Sequence, residues 1–308
     1  MNTAGTSSDQ KMKVYIWDMD ETLILLKSLI TGTYAEASNG LKNVEEGMKI
    51  GKLWEDLILQ ICDDHFFYEQ VDFCNEPYLD ATADYDNGRD LSNYDFNHDG
   101  FGNTPDEEIN KIKLAYRHRV IAERYNKGLH SLLDENLLKS WDSLYDSTDR
   151  YTDTWLSSAR ECLEQCSTPS KDLNPQRVST DGRDGNVLGY HDVNVLVTSG
   201  ALIPSLVKCL LFRVDGCIAC ENVYSSWEVG KRLCFSLIRE RFSSRNAQFC
   251  VIGDGVEECE AAEAMKWPFV KVDPFSTRYH RFPGLSLKDM GLYLSVVYGN
   301  SDGDNDEE

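Results

Sequence analysis

The sequence predicts an α/β protein: a doubly wound, mostly parallel sheet with an inserted all-helical cap. Three observations lead there. Short apolar runs alternate with segments of helical period across residues 193–297, as expected of strands covered by helices on both faces. One strand-like run, Lys13 to Trp17, stands alone near the N-terminus and ends abruptly in charge at Asp18. Between the two regions every periodic segment is helical, with polar loops between, so the first strand joins the later ones and the helical middle is an insertion.

Residues 1–11 are polar and read as a disordered start. Core segments follow at 12–32 and 190–298, with the cap at 33–189 between them. In the cap, Met48, Leu53, Leu57 and Ile61 set a helix over Val44 to Phe67. The stretch 71–104, rich in Asp, Asn, Gly and Tyr, is too polar and too punctuated for regular structure and reads as a long acidic loop. Pro105-Asp106-Glu107-Glu108 suits a helix N-terminus, and the pattern runs on through Ile112, Ala115, Val120 and Tyr125. Two further amphipathic helices fit between Leu132 and Cys166, with Trp141, Leu144, Trp155, Leu156 and Leu163 facing inward. A polar loop, Ser167 to His191, precedes the alternating region. There, strands are expected at Val193–Val197, Cys217–Ala219, Phe249–Ile252 and Phe269–Val272, and helices near 202–212, 226–242, 256–265 and 286–297. The acidic residues 299–308 read as a disordered tail.

Composition narrows the function. The 308 residues, 41% hydrophobic, suffice for one large or two ordinary cores. A net charge of -21 repels phosphate backbones and anionic lipids, which argues against direct nucleic-acid or membrane binding. No apolar run approaches the ~18 residues of a membrane span, and the N-terminus lacks the apolar core of a secretory signal. The expectation is an intracellular chain of the cytoplasm, the nucleus or both. Ten cysteines spread over so large a chain are expected as reduced thiols, and one Cys217-x-x-Cys220 pair is a weak signal for zinc or redox work.

The chemistry collects at strand ends, where ligands bind in an open parallel sheet. The first strand ends in Asp18 and Asp20 of "WDMDETL", the next in Thr198 of "VNVLVTSG", and a later one in Asp254 of "FCVIGDGVEE", with Glu257 and Glu258 just behind. Lys231 falls between them on a helix. Each signal alone has an ordinary reading: D-x-D arises by accident, GDG is often a turn, and a strand-ending threonine often caps the next helix. Together they make an oxygen-rich site suited to Mg²⁺, with carboxylates from Asp18 and Asp254 and a backbone carbonyl near Asp20. Such an ion removes the repulsion between a carboxylate and an incoming phosphate. The Thr198 hydroxyl and the Lys231 ammonium would hold the remaining phosphoryl oxygens.

This order of motifs resembles the haloacid dehalogenase superfamily of aspartate-based phosphotransferases. More narrowly it resembles the C-terminal domain of the Eyes Absent family, in the short form found in plants. The likeness runs from about Lys13 to Val297 through "WDMDETLILLKSLITGTYA", "DNGRDLSNYDFNHDGF", "VNVLVTSGALIPSL", "ENVYSS" and "VIGDGVEE". The resemblance implies Asp18 as a nucleophile forming an aspartyl-phosphate, and Asp20 as the acid that protonates the leaving oxygen and then activates water. It implies Mg²⁺ held by Asp18, the Asp20 carbonyl and Asp254, with Glu258 orienting metal-bound water. It also implies phosphotyrosine-containing proteins as substrate, and protein partners on the cap. Ser199-Gly200 and Trp227-Glu228 depart from the pattern of animal members, which bears on substrate preference and on those partners.

Other readings compete. Asp95, Asn97, Asp99, Gly100 and Asp106 approach the spacing of an EF-hand, but its twelfth position is Asp where Glu is usual, and no helical pattern enters from the preceding stretch. A cysteine-dependent tyrosine phosphatase needs C-x5-R, and Cys234 with Arg239 is one residue too close. The six histidines show no ligand spacing. The remaining alternatives are a protein-binding module or transcriptional co-regulator with a vestigial metal site, a small-molecule phosphatase, and a phosphotransferase to sugars.

Overall fold

The computed structural model describes residues 12–96, 98, 108–167, 192–276 and 280–299. Five strands, β1 (Lys13–Trp17), β2 (Val193–Thr198), β3 (Val223–Ser225), β4 (Gln248–Gly253) and β5 (Phe269–Lys271), form one parallel sheet in the order β3-β2-β1-β4-β5. The chain winds outward from β1 through β2 to β3, then returns to the other side of β1 for β4. The switch point therefore lies between β1 and β4, where the loops leaving the two strands part and open a crevice. Trp17 is level with Leu196 of β2 and Ile252 of β4, so Asp18, Thr198 and Asp254 all leave the same edge of the sheet.

The helices are α1 (Leu26–Thr31), α2 (Thr33–Glu36), α3 (Val44–Phe66), α4 (Tyr68–Val71), α5 (Glu108–Lys127), α6 (Glu135–Tyr151), α7 (Trp155–Ser167), α8 (Leu202–Leu211), α9 (Lys231–Arg241), α10 (Val256–Met265) and α11 (Leu287–Tyr298). Alternation along β1 divides the apolar interior. Tyr15 and Trp17 point into one cluster with Trp54, Trp141, Trp155 and Leu206, whereas Val14 and Ile16 point into another with Phe235, Ile238 and Ala262 of α9 and α10. The inserted helices thus share one continuous apolar cluster with a face of the sheet. Indole N–H groups fasten the helices: within the insertion Trp54 of α3 donates to the Thr148 hydroxyl of α6 at 2.8 Å, and Trp141 of α6 donates across to the Leu211 carbonyl of α8 at 2.7 Å. Local signals set the helix starts. Asn43 accepts from the Glu46 N–H before α3, and Asp134 from those of Asn136 and Leu137 before α6.

Four sequence expectations need correction. Cys217–Ala219 is no strand: the N–H groups of Cys217 and Ile218 both turn back to the Val214 carbonyl, and the edge strand β3 begins only at Val223. A short apolar run in a buried turn is indistinguishable from a strand by periodicity alone. The helix expected from 226 starts instead at Lys231, after Gly230 at φ 77°. Residues 71–104 do contain regular structure, a 3-10 helix at Leu79–Tyr85 pinned from outside by His118, whose Nδ1 lies 2.9 Å from the Thr82 hydroxyl. Finally, α1 and α2 lie in a stretch for which no helix was expected. Cys217 and Cys220 form no disulfide. No helix among the described residues is long and apolar enough to cross a membrane. The N-terminal segment 1–11, the polar loop 168–191, the tail from 300, and Asn97, Asp99, Gly100 and Asp106 of the EF-hand-like stretch lie outside the described residues.

Candidate active site

Asp18 follows directly on β1 and is buried, its own N–H donating to the Ile252 carbonyl of β4 at 2.9 Å. The chain then coils tightly. The N–H groups of Thr22, Leu23 and Ile24 converge on the Met19 carbonyl, and Glu21 takes the left-handed conformation at φ 60°. A non-glycine residue there stores strain, held in place here by the Glu21 N–H bond to the Ile24 carbonyl at 2.7 Å. The coil returns the Thr22 hydroxyl to the strand end, 3.4 Å from Asp18 Oδ2 and 3.3 Å from Asp254 Oδ1.

Lys231, the first residue of α9, is buried and reaches across to this point. Its Nζ lies 2.6 Å from Asp18 Oδ1 and 2.7 Å from Glu258 Oε2. Glu258, in the first turn of α10, also accepts the backbone N–H of Gly255. Gly253 and Gly255 leave room for that carboxylate: a Cβ on Gly253 would stand 2.6 Å from Glu258 Cγ. Carboxylate oxygens of Asp18, Asp254 and Glu258 lie within 4.8 Å of one another.

The electrostatics follow from three acids around one ammonium. Burial pushes the Asp18 carboxyl up to about 7; Lys231 opposes this, and Glu258 and Asp254 add to it. Asp254 is raised by burial and then by Glu258. Burial also works upward on Glu258, but attraction and hydrogen bonding from Lys231, with the Gly255 N–H, outweigh it and leave it below its ordinary value. Lys231 is raised, since Asp18 and Glu258 together outweigh its burial. Three carboxyl groups thus share one ammonium, which outweighs burial at Glu258 but not at Asp18 or Asp254. A cluster of carboxylate oxygens of this kind suits a hard divalent cation such as Mg²⁺.

Of the residues expected from sequence, Asp18, Lys231, Asp254 and Glu258 come together in one cluster. Glu258 holds the lysine directly, a closer part than the water-orienting one expected. Thr198 ends β2 on the same edge and is buried, but its hydroxyl is engaged locally, accepting the Gly200 N–H at 3.1 Å. Asp20 points elsewhere: its two carboxylate oxygens lie 2.8 and 2.9 Å from Nζ of Lys208 on α8. Sequence reasoning missed Lys208 and Thr22. A trace of the first was present, since Lys208 is the one charged residue in the apolar run LIPSLVKCLLF. Thr22 stood inside "DMDET" with no role assigned to it.

A parallel, doubly wound sheet with its acids and a buried lysine at the β1/β4 switch point defines an α/β Rossmannoid protein of the haloacid dehalogenase type. No protein-family model matches the chain. Among curated proteins it is 56% identical to "Protein phosphatase EYA" of Arabidopsis thaliana, over 98% of this chain and 96% of that protein. It is 34% identical to "Protein phosphatase eya" of Drosophila melanogaster, over 86% of this chain, and 32% identical to "Protein phosphatase EYA2" of Homo sapiens, over 84%. The matched region spans 34% and 47% of those two animal proteins. The chain belongs to the Eyes Absent family of protein phosphatases.

Proposed function

We propose that this chain is a Mg²⁺-dependent protein-tyrosine phosphatase that works through an aspartyl-phosphate at Asp18. The observation that carries the reading is the bridge of Lys231 between Asp18 and Glu258, with Asp254 beside them. A carboxylate must be ionised to attack phosphorus, and burial alone would keep Asp18 protonated; Lys231 works against that.

In the first step an Asp18 oxygen forms a bond to phosphorus as the bond to the tyrosine oxygen breaks, and the departing oxygen takes a proton from Asp20. In the second, Asp20 as carboxylate takes a proton from water, whose oxygen attacks phosphorus. Inorganic phosphate leaves and Asp18 is restored. Lys231 offsets charge on the phosphoryl oxygens, and the Thr198 hydroxyl, which accepts from the Gly200 N–H, still has its own hydrogen to donate to another. Asp18, Asp254 and the Asp20 carbonyl, with Glu258 close by, would hold Mg²⁺, which when bound supplies the positive charge that lets an anionic phosphate approach a carboxylate. Thr22 fixes the relative placement of Asp18 and Asp254 through its shared hydroxyl. That the substrate is a protein is supported by family membership, since the relatives are named protein phosphatases; the choice of phosphotyrosine rests on the sequence resemblance alone.

The test is initial-rate hydrolysis of phosphotyrosine and phosphoserine peptides with Mg²⁺ and with chelator, for the wild type and Asp18→Asn. The expected result is turnover of the tyrosine peptide only with Mg²⁺, absent in the variant, with hydroxylamine trapping the acyl-phosphate in the wild type. Full turnover by Asp18→Asn would overturn the nucleophile assignment. Preference for phosphoserine would overturn the substrate class, and inactivity of a folded wild type towards both peptides and para-nitrophenyl phosphate would favour a binding module.

A further inference from the structure

Lys208, which pairs with Asp20 outside the acidic cluster, has no part in the mechanism above. Lys208 sits on α8, the helix that follows β2, and its ammonium faces both oxygens of the Asp20 carboxylate at 2.8 and 2.9 Å. The lysine side chain is only 13% exposed, whereas that of Asp20 is 35% exposed. Every other charged position of α8 is absent: its neighbours Leu206, Val207, Cys209 and Leu210 are buried apolar side chains. An ammonium in so apolar a helix carries a desolvation cost that a surface lysine would avoid. It is also rigidly placed, because the packed helix fixes its stem while Asp20 stands on a coil with a strained residue next to it.

We propose that Lys208 is a positioning residue for Asp20. It selects one orientation of the Asp20 side chain from those open to a partly exposed carboxylate, and holds it on the side of α8. Because α8 packs against α3 of the insertion as well as following β2, it ties the placement of Asp20 to the seating of the helical insertion on the sheet. The inference rests on the assignment of Asp20 as leaving-group acid. An acid acts only within hydrogen-bond reach of the departing oxygen, and a misplacement of about 1 Å costs up to about a hundredfold in rate.

The experiment is a double-mutant cycle over Lys208→Met, Asp20→Asn and the pair, with kcat and KM measured in saturating Mg²⁺ on phenyl phosphate and on para-nitrophenyl phosphate. Lys208→Met should lower kcat on phenyl phosphate by about tenfold, by less on the nitrophenyl ester, and leave KM within about twofold. Lys208→Arg, which keeps a bidentate cation, should recover most of the loss. In the Asp20→Asn background Lys208→Met should cause no further loss. Equal losses on the two esters, or losses that multiply in the double variant, would overturn the positioning role. If Asp20→Asn itself shows no bias toward poor leaving groups, the acid assignment fails instead. Circular dichroism and melting of each variant show whether it folds, and Lys208→Gln replaces the methionine variant should that one not fold.

Discussion

Trp155 of the helical insertion donates its indole N–H to the Thr22 carbonyl at 3.2 Å, and the hydroxyl of the same threonine stands between Asp18 and Asp254. One residue thus joins the insertion to the acidic cluster. Trp155 is fully buried and meets Phe282 edge-on, with ring centroids 5.4 Å apart at 89°. Trp155→Phe keeps an aromatic body in this space but removes the donor. The variant is expected to lose about 1–2 kcal/mol in urea unfolding and several-fold in kcat, with KM little changed. Unaltered kinetics would show that the insertion does not brace the Asp18 loop.

The proposed Mg²⁺ site has a readout independent of turnover. A ligand that binds only the folded chain stabilises it, by about 2.7 kcal/mol at a hundred times its Kd. Titrating the wild type with Mg²⁺ should therefore raise Tm, and chelator should reverse the rise. Asp254→Asn removes one of three clustered carboxylates and should abolish most of the shift at the same ion concentration. A full shift in Asp254→Asn would place the ion elsewhere.

Gly253→Ala tests whether Glu258 must sit where it does. The added Cβ would stand 2.6 Å from Glu258 Cγ and 2.7 Å from Oε1, so the glutamate must move and loosen its hold on Lys231. The expected outcome is a fall in kcat of at least about tenfold and a loss of about 1–3 kcal/mol in stability from overpacking. Wild-type kinetics from the alanine variant would mean that Glu258 has no strict geometric requirement.

His118 provides a stability switch remote from the acids. Burial drives its pKa from 6.5 down to about 4, against a small opposite pull from its bond to the Leu79 carbonyl. Between those values the unfolded chain binds a proton that the folded chain does not, so stability falls as pH is lowered through the window, by about 3 kcal/mol once pH 4 is reached. His118→Gln has nothing to protonate there. Urea midpoints for the two proteins from pH 7 to pH 4 should converge or cross toward acid; parallel curves would refute a buried neutral imidazole.

Much of the fold could be read directly. β1 falls where its β-branched run ends in charge, α10 at its expected bounds, and β2, β4 and β5 to within a residue or so at either end. Where the reading failed, the deciding force was non-local. Cys217–Ala219 has the composition of a strand, but its backbone donors are taken by Val214, while Val223–Ser225 has free positions beside β2. Leu79–Tyr85 is held by His118, some 36 positions along the chain from Thr82.

The candidate site divides in the same way. Asp18 and Asp254 were legible because strand ends in a parallel sheet are brought to one edge by topology, and alternation of apolar runs is enough to infer that topology, whereas Lys231, which starts the helix between β3 and β4, was singled out by its place in the order of motifs. Partnership was not legible. Nothing in the order of residues says that Lys231 would bridge to Glu258, that Thr22 would fold back between two acids, or that Lys208 would claim Asp20. Those pairings depend on side-chain reach and on which charges the packed interior leaves near one another, and both are set only when helices distant in sequence close over the sheet.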